Sequence, residues 1–331
     1  MNNKLYIGDN LEIMRSLPDE SVDLCYTDPP FMSQRSYGSE FNDKWSSIDE
    51  FCGFMRLRLI EIHRLLKPTG SIYLHLDESA SHYIKIEMDR IFGKGNFKNQ
   101  ITWKRTSGNK QCTKTLPNNS DYILRYAKSK KSTWNLDHMY LERDESYIKK
   151  YNKDDNDGKG SYRYNYFGLP KRERQNQNTI KKNSYELLGL YGSYKWNKER
   201  ADQGVKDGII VRNNNKIYQK LYLNDAKGIQ IDNIWIDIHN VRGQSPEYIG
   251  YPTQKPVALY QRMIQLSSNK NNIVLDPFCG SGTSLDAAQS LNRNWIGIDN
   301  NPNTIDYIKN RFDKYGLLND GYEVIYANQS I

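Results

Sequence analysis

The stretch Val22-Asp23-Leu24-Cys25-Tyr26-Thr27-Asp28-Pro29-Pro30-Phe31 decides how the rest of the chain is arranged. It opens with a short apolar run, which is typical of a buried strand. Two consecutive prolines cannot continue the hydrogen bonds of a sheet, so the chain must leave the strand in a stiff, extended loop. Such an exit can be purely structural. It also gathers the Asp28 carboxylate, the Pro29 carbonyl and the Phe31 ring, a set that suits a flat substrate carrying an amino group.

Strand and helix patterns alternate on both sides of this stretch, which favours a parallel sheet with crossover helices. The expected strands include residues 4–9, 71–76, 272–276, 295–299 and 323–326. The expected helices are residues 11–17, 49–66, 80–92, 255–268, 283–291 and 302–315. Residues 31–47 have no steady period and are rich in Ser, Gly and Asn, so we expect a mobile loop beside the candidate site.

The middle of the 331-residue chain differs in composition from both ends. Between Arg105 and Asp232 there are 26 Lys and Arg against 15 Asp and Glu, whereas the whole chain has a net charge of +8. All the excess positive charge therefore lies in this part, which also contains 13 of the 25 tyrosines. Such a block is a candidate surface for a polyanion, although a solvated lysine-rich surface has the same composition. We expect an inserted module with its own, less regular fold.

Composition also excludes several classes of protein. The four cysteines are scattered without CxxC pairs, which argues against a disulfide framework and against a zinc site. We therefore expect no metal and a reducing, cytoplasmic location. No apolar run has the length of a membrane span, and Met1-Asn2-Asn3-Lys4 does not begin a signal peptide.

A second motif lies far downstream, where a strand meets a helix: Asp276-Pro277-Phe278-Cys279-Gly280-Ser281-Gly282-Thr283-Ser284. Its small residues let backbone N–H groups approach a ligand, and the start of a helix favours a negative group. The stretch lacks the GK[ST] of a Walker loop and the full spacing of a dinucleotide fingerprint. Asp299 ends the next strand, where an acidic side chain reaches ribose hydroxyls in this topology. Together they predict an adenosine-containing ligand.

In this order, the motifs resemble those of the β-group DNA amino-methyltransferases, which are S-adenosylmethionine-dependent enzymes of restriction-modification type. Asp28–Phe31 resembles the family's catalytic motif, Phe278–Gly282 its cofactor motif, and Tyr251–Pro256 the segment before the cofactor strand. The resemblance covers roughly residues 4–103 and 234–315. It implies an α/β fold: a Rossmann-like methyltransferase sheet with permuted motif order. The implied domains are a catalytic half (1–103), a target-recognition insert (104–233) and a cofactor-binding half (234–331).

The resemblance also implies an activity: site-specific methyl transfer from S-adenosylmethionine to N6 of adenine in duplex DNA, with base flipping. The implied catalytic residues are Asp28, Pro29, Pro30 and Phe31. The implied cofactor-binding residues are Asp9, Lys255, Asp276, Phe278, Gly280, Ser281, Gly282, Thr283 and Asp299. Among these, Asp9 is expected on the adenine, Asp299 on the ribose and Lys255 on the carboxylate of the cofactor. His75 and Asp77 are expected either to line the pocket or to form a buried structural pair.

Several alternatives stay open. Cytosine N4 is an alternative target, but adenine is favoured because the family's cytosine enzymes more often have Ser where Asp28 stands. A catalytically inactive DNA-binding subunit would keep the same fold, and an RNA substrate is less favoured because of the long insert. An NAD-dependent enzyme would need a full glycine fingerprint. The expected partners are double-stranded DNA, a second copy of the chain and a cognate restriction endonuclease.

Overall fold

The computed structural model describes residues 3–34, 43–106, 114–169, 183–314 and 321–327. They form two compact units. The larger unit consists of the described residues of Met1–Met139 and Ile231–Ile331, and the smaller unit of those of Tyr140–Gln230.

The secondary-structure elements follow in chain order. The strands are β1 (Asn3–Ile7), β2 (Val22–Thr27), β3 (Leu66–Leu76), β4 (Phe97–Lys104), β5 (Ser120–Ala127), β6 (Tyr140–Leu141), β7 (Tyr162–Tyr166), β8 (Ser184–Leu187), β9 (Leu190–Ser193), β10 (Ile210–Asn213), β11 (Lys216–Tyr222), β12 (Ile229–Gln230), β13 (Ile234–Trp235), β14 (Ile273–Asp276), β15 (Asn294–Asp299) and β16 (Tyr322–Tyr326). The α-helices are α1 (Asn10–Ser16), α2 (Ile48–Leu65), α3 (Ser81–Met88), α4 (Glu145–Ile148), α5 (Lys198–Lys206), α6 (Val257–Ser267), α7 (Thr283–Ser290) and α8 (Thr304–Lys314).

A nine-stranded sheet forms the larger unit, in the order β13-β4-β5-β3-β2-β14-β15-β1-β16. Neighbouring strands are parallel except at β5, which is antiparallel to both β3 and β4. The expected parallel strands are present, and β5 makes the sheet mixed. Strand β5 falls inside the range expected as the insert, but its buried Ile123, Leu124 and Tyr126 tie it to the large sheet.

Strand β2 lies near the centre of the sheet and is covered on both faces. Leu24 and Tyr26 pack in one hydrophobic cluster, together with residues of α6, α7 and α8. Cys25 points to the opposite face and packs with residues of α1, α2 and α3. Burial on both faces explains why this strand reads as a continuous apolar run rather than as an alternating one.

The strand order reverses between the neighbouring strands β2 and β14. From β2 the chain continues outward to β3, and from β14 it continues to β15 on the other side. β2 and β14 are parallel neighbours, with Val274 beside Leu24 and Leu275 beside Cys25. A crevice therefore opens at their carboxyl ends, which is where open α/β sheets bind ligands.

The smaller unit has a core of its own. Strands β7, β11 and β10 form an antiparallel sheet, and β8 and β9 form a hairpin. Their buried side chains pack with those of α5, around Phe167, Tyr194, Ile210 and Ile217. The unit, Tyr140–Gln230, is narrower than the expected insert of residues 104–233, since β5 belongs to the large sheet.

One face of the β7–β11 pair is rich in tyrosine. Side chains alternate along a strand, so Tyr162, Tyr164 and Tyr166 of β7 share a face. Their partners across the ladder on β11 are Tyr222, Lys220 and Tyr218. The rings of Tyr164 and Tyr218 lie 5.1 Å apart, and Tyr166 is 48% exposed. We call these six residues the tyrosine face.

Candidate active site

A cavity of about 370 Å³ lies at the carboxyl ends of β1, β2, β14 and β15. The residues that line it are Gly8, Asp9, Asn10, Asp28, Pro29, Pro30, Phe31, Asp43, Trp45, Phe54, Arg58, Tyr251, Thr253, Gln254, Lys255, Tyr260, Pro277, Phe278, Cys279, Gly280, Ser281, Asp299 and Asn300. All four residues predicted as catalytic are among them. Six of the nine predicted cofactor residues also line it, the exceptions being Asp276, Gly282 and Thr283. Two motifs about 250 residues apart thus share one cavity.

The Asp28 carboxylate presents two different oxygens to this cavity. Oδ2 accepts a hydrogen bond from Lys255 Nζ at 2.6 Å. Oδ1 is buried and has no hydrogen-bond partner among the described residues. The ion pair fixes the carboxylate, and a buried acceptor without a donor favours a ligand that brings an N–H group. Lys255 was expected at the cofactor carboxylate; here its side chain lies on Asp28, and its contact with a cofactor stays a prediction.

The loop after Pro30 is tied down next to Phe31. Asp43 accepts hydrogen bonds from the backbone N–H groups of Met32 and Ser33 at 2.7 and 2.8 Å. The Ser79 hydroxyl donates to the carbonyl of Phe31 at 2.7 Å. These contacts hold the Phe31 ring at the cavity wall, 5.0 Å from Lys255 Nζ. The expected mobile loop of residues 31–47 is described only at its two ends, and residues 35–42 lie outside the described residues.

The glycine turn between β14 and α7 is locked to the end of β15. Gly280 and Gly282 have φ angles of +46° and +72°, which favour glycine. The N–H of Gly280 donates to Asp299 Oδ2 at 2.8 Å, and the N–H of Asn301 donates to Oδ1 at 2.9 Å. Asp299 thereby brings the two loops together at the cavity. Its contact with a ribose stays a prediction.

Asp276 stabilises the same glycine turn through hydrogen bonds to residues of the motif. Its side chain is buried; Oδ1 accepts from the N–H of Phe278 at 3.0 Å, and Oδ2 accepts from the Ser284 hydroxyl. Burial is the main reason that the pKa of Asp276 is raised to about 7, and the charges of Asp28 and Asp299 raise it further. Asp276 does not line the cavity and fixes the turn, and its expected contact with a cofactor stays a prediction.

Asp9 lines the cavity while capping a helix. Its Oδ1 accepts from the N–H of Leu11 at 2.8 Å, so it caps α1, and its Oδ2 accepts from Arg58 Nη2 at 3.0 Å. The Arg58 guanidinium lies 3.4 Å from the centre of the Phe54 ring. Sequence reasoning missed both residues: Phe54 fits the apolar spacing of the predicted helix 49–66, and Arg58 was given no role. A contact between Asp9 and adenine stays a prediction.

The segment before α6 contributes more than the single residue assigned to it. Tyr251, Thr253 and Gln254 line the cavity beside Lys255. Gln254 is buried and fixes the loop, since its side chain accepts from the N–H of Ile249 at 3.0 Å and donates to the carbonyl of Glu247 at 2.7 Å. The available signal was the motif Tyr251–Pro256 itself, of which only Lys255 was given a role.

His75 and Asp77 do not line the cavity, and they are not hydrogen-bonded to each other in the described structure. His75 is fully buried with Nε2 3.2 Å from Asp121 Oδ2. Asp77 accepts from the N–H of Ser79 at 3.0 Å. His75 therefore belongs to a different pair from the one expected, formed with a residue of β5.

Cys279 lines the cavity but is poorly suited to act as a nucleophile. Burial is the main cause that raises the pKa of its thiol, and the charges of Asp299 and Asp276 add to the effect. The thiolate is therefore disfavoured. Within the described ranges, Cys25 and Cys52 are also buried and free, and Cys112 lies outside them. No described group of His, Cys, Asp and Glu could hold a metal ion, and no described helix is long and apolar enough to cross a membrane.

Replacing Gly282 with alanine is expected to destabilise the larger unit by about 3 kcal/mol, from positive-φ strain and overpacking. A Cβ at Gly282 would lie 2.5 Å from Ile308 Cγ1 of α8. The matched control is Gly53→Ala within α2, where a Cβ meets nothing within 4 Å and helix propensity should add up to about 1 kcal/mol of stability. Urea unfolding of both variants measures this. Equal stability of the two would contradict the assigned geometry.

Comparisons with known proteins point to one family. The model of a family described as DNA methylase, covering N6 and N4 methylation, matches residues 22–310. The type II methyltransferase M.EcaI of Enterobacter cloacae is 30% identical over 317 residues, which cover 90% of this chain and 66% of that protein. The DNA adenine methyltransferase YhdJ of Escherichia coli is 27% identical over 303 residues, covering 91% of this chain and 79% of its own.

A solved structure with a similar fold is PvuII DNA methyltransferase, described as cytosine-N4-specific. It superimposes with a TM-score of 0.56 and 16% identity, covering 100% of this chain and 96% of that one. The predicted Rossmann-like methyltransferase fold is thereby confirmed. The chain spans slightly less than two-thirds of the length of M.EcaI.

Proposed function

We propose, from the premise that the chain belongs to the DNA methylase family, that it transfers a methyl group from S-adenosylmethionine to the N6 amino group of adenine in duplex DNA. The family was predicted from the motifs and is confirmed. The observation that carries the proposal is the Asp28 carboxylate, which has one fixed oxygen and one buried oxygen without a partner. It lies in the same cavity as the glycine turn and Asp299.

The amino group of adenine is a poor nucleophile, because its lone pair is conjugated with the ring. An N–H donating to Asp28 Oδ1 and a second donating to the Pro29 carbonyl would favour a tetrahedral nitrogen and free that lone pair. Lys255 holds Asp28 in place for this task. The Phe31 ring would stack on the base, which must leave the duplex to reach the cavity.

S-adenosylmethionine supplies a methyl group that is already activated, so positioning is the main task left to the protein. The residues present fit this cofactor. Gly280 has no side chain, so its backbone can approach a ligand closely, whereas a Cβ there would lie 3.0 Å from the Tyr251 hydroxyl in the same wall. Asp9 and Asp299 add carboxylates at the ends of β1 and β15, and hydroxyl groups of a ribose or an amino group of adenine are suitable donors to them.

Adenine is proposed over cytosine because an aspartate stands at position 28, where the family's cytosine enzymes more often have serine. The adenine specificity in the name of YhdJ supports this choice. Cytosine N4 is the alternative, supported by the specificity in the name of PvuII methyltransferase. The same acceptor pair serves either exocyclic amine, so the cavity geometry alone does not favour one base.

For the duplex, we propose contacts from the smaller unit, which would act as the target-recognition region. Its tyrosine face exposes the ring of Tyr166, while Lys220 of that face is paired with Asp155. Lys153 lies 5.0 Å from the Tyr164 ring and is exposed. Aromatic rings beside cations suit contact with nucleic-acid bases and phosphates.

Neutralising exposed lysines of the smaller unit is expected to flatten the salt dependence of DNA binding. Lys150→Gln combined with Lys153→Gln removes two cations, so the slope of log K against log salt should fall by up to about 2. The matched control replaces Lys270 and Lys309, which are exposed residues of the larger unit. Binding to a fixed duplex at several salt concentrations measures both slopes. An unchanged slope in the Lys150/Lys153 variant would argue against this role.

The test of the function is methyl transfer from labelled S-adenosylmethionine to mixed-sequence duplex DNA, followed by nucleoside analysis. Labelled N6-methyladenine is the expected product. N4-methylcytosine would keep the chemistry and replace the base. Cofactor binding without transfer to any DNA would overturn the proposal and favour an inactive DNA-binding subunit.

The proposal includes partners and a location. We propose a cognate restriction endonuclease that cuts the same site, since M.EcaI is named a type II methyltransferase. A homodimer and a cytoplasmic location complete the proposal. Size measurement in solution tests the dimer.

A further inference from the structure

His75 lies directly behind Asp28, outside the cavity. Its ring is fully buried, and its two nitrogens face different partners. Nδ1 is 3.1 Å from the Tyr26 hydroxyl and 3.5 Å from Asp28 Oδ1. Nε2 is 3.2 Å from Asp121 Oδ2, and Arg105 Nε donates to the other oxygen of Asp121 at 2.8 Å. A row of polar groups therefore leads from the cavity to a buried ion pair. Within this row, Asp28 Oδ1 and His75 Nδ1 are in contact at 3.5 Å without a hydrogen bond.

These partners determine which nitrogen of His75 carries its hydrogen. Burial opposes ionisation of Asp121, but the hydrogen bond and the charge of His75, together with the charges of Lys255 and Arg105, outweigh it and lower the pKa of Asp121. An ionised Asp121 only accepts, so Nε2 is the nitrogen that carries the hydrogen. Burial raises the pKa of the Tyr26 hydroxyl well above its usual value, so Tyr26 keeps its proton, and Tyr260 is a second hydrogen-bond partner to which the hydroxyl can turn when Nδ1 accepts a proton. Nδ1 is then unprotonated and faces Asp28.

We propose that His75 accepts, through Asp28, the proton that the target amine loses during methyl transfer. This inference rests on the proposed function. When the new N–CH₃ bond forms, the nitrogen becomes positively charged. Its N–H bond breaks with the electron pair staying on nitrogen, and the proton passes to Asp28 Oδ1 and then to His75 Nδ1. The positive charge ends on an imidazolium between two carboxylates, Asp28 and Asp121.

His75 acts through Asp28, so it is a positioning and proton-accepting residue. Its charged and titratable surroundings come from several elements: Tyr26 and Asp28 at β2, Asp77 beyond β3, Arg105 after β4, Asp121 in β5 and Lys255 before α6. The rings of Phe31 and Trp103 complete them, with centroids 5.4 and 5.6 Å from that of His75. Of the two groups nearest Nδ1, Tyr26 and Asp28, only Asp28 lines the cavity, so the proton of the amine reaches the imidazole through Asp28.

The first test needs no catalysis. Nitrogen-15 NMR of the full chain with labelled histidine reports which ring nitrogens carry hydrogen. The signals of His75 are identified by their loss in His75→Gln. Between pH 7 and 8 we expect a neutral ring with hydrogen on Nε2 only. A ring that is doubly protonated over this range would overturn the inference, because Nδ1 would have no place for another proton.

The second test is the single-turnover rate of methyl transfer as a function of pH. His75→Gln should be slower by roughly 10²-fold, the usual contribution of a proton-accepting group. Binding of S-adenosylmethionine and DNA should change by less than about threefold. The pH profile of the wild-type rate should differ from that of the variant, because only the wild type has a proton acceptor next to Asp28.

A second variant and a control sharpen the result. Asp121→Asn can donate to Nε2, which would move the hydrogen to Nδ1, so it should slow transfer as His75→Gln does. His82→Gln, at an exposed position of α3, should leave the rate unchanged.

The outcomes separate the two proposals. A wild-type enzyme that transfers methyl groups while His75→Gln keeps both its rate and its pH profile would overturn the inference and leave the function standing. A parallel loss of binding and rate would assign His75 a structural role and also overturn it. If the wild type transfers to no DNA, the proposed function fails, while the NMR measurement still decides whether Nδ1 can accept a proton.

Discussion

Asp28→Ala is expected to lower the single-turnover rate of methyl transfer by about 10³-fold, the upper range for removing one preorganised hydrogen-bonding group. Among the described residues that line the cavity, Asp28 Oδ1 is the only buried side-chain oxygen without a hydrogen-bond partner, and the variant removes it. Without it, the amine loses the acceptor that favours tetrahedral geometry. Rapid-quench measurement with saturating S-adenosylmethionine reports this step. Affinity for DNA and for the cofactor should change by less than about threefold.

The control for this variant separates the loss of the Asp28 carboxylate from the effect of an unpaired Lys255. Asp28→Ala leaves the ammonium group of Lys255 without its carboxylate, and its side chain is only 9% exposed. Removing one partner of a buried pair is costly for stability. Asp28→Ala combined with Lys255→Met removes both charges and should restore stability without restoring the rate. Asp237→Ala, which removes another ion-paired carboxylate of the larger unit, should leave the rate unchanged. A rate within tenfold of wild type in the double variant would contradict the role of Asp28.

The parts of the site that the sequence could predict are those with local causes. The Asp28–Phe31 loop follows from two prolines after an apolar strand, and the Gly280–Gly282 turn follows from two glycines between a strand and a helix. The carboxyl ends of neighbouring parallel strands meet at one edge, so the family order of the motifs was enough to expect one shared site. The cavity brings both stretches together.

The parts that sequence reasoning missed depend on contacts between distant residues. Lys255 and Asp28 are 227 positions apart, and nothing local reveals that the lysine meets the catalytic carboxylate. His75 and Asp121 lie on adjacent antiparallel strands, and their pairing required knowing that β5 returns into the large sheet. The basic and tyrosine-rich sequence around β5 concealed this, because composition suggested an insert that begins at residue 104.

The residues of the predicted cofactor motif differ in whether they line the cavity. Gly280 and Ser281 line the cavity, while Asp276 and Thr283 lie beneath it. A motif shows that a turn binds a ligand, but the side chains that face the ligand depend on the path of the backbone through the turn. Asp276 is the clearest case, since its two oxygens accept from Phe278 and Ser284 within the motif.

Asp276→Asn is expected to remove a large part of the pH dependence of stability. The pKa of this carboxyl is about 7 in the folded protein, against 3.8 as its ordinary value. Between these values the folded protein holds a proton that the unfolded chain has lost. The free energy of unfolding therefore falls as pH rises from about 4 to about 7, by up to about 4 kcal/mol. Below pH 4 and above pH 7 this group does not make the free energy of unfolding depend on pH.

An asparagine at this position is close in shape to the protonated aspartic acid. Its amide oxygen can accept from the N–H of Phe278, and its amide nitrogen can donate to the Ser284 hydroxyl. The variant should thus match the wild type at about pH 3 and be more stable at pH 8, where the wild type has a buried charge. Urea unfolding at both pH values measures the difference. If the free energies of unfolding of both proteins changed equally with pH, Asp276 would be ionised at neutral pH. The turn would then be stabilised by a buried carboxylate rather than by a protonated carboxylic acid.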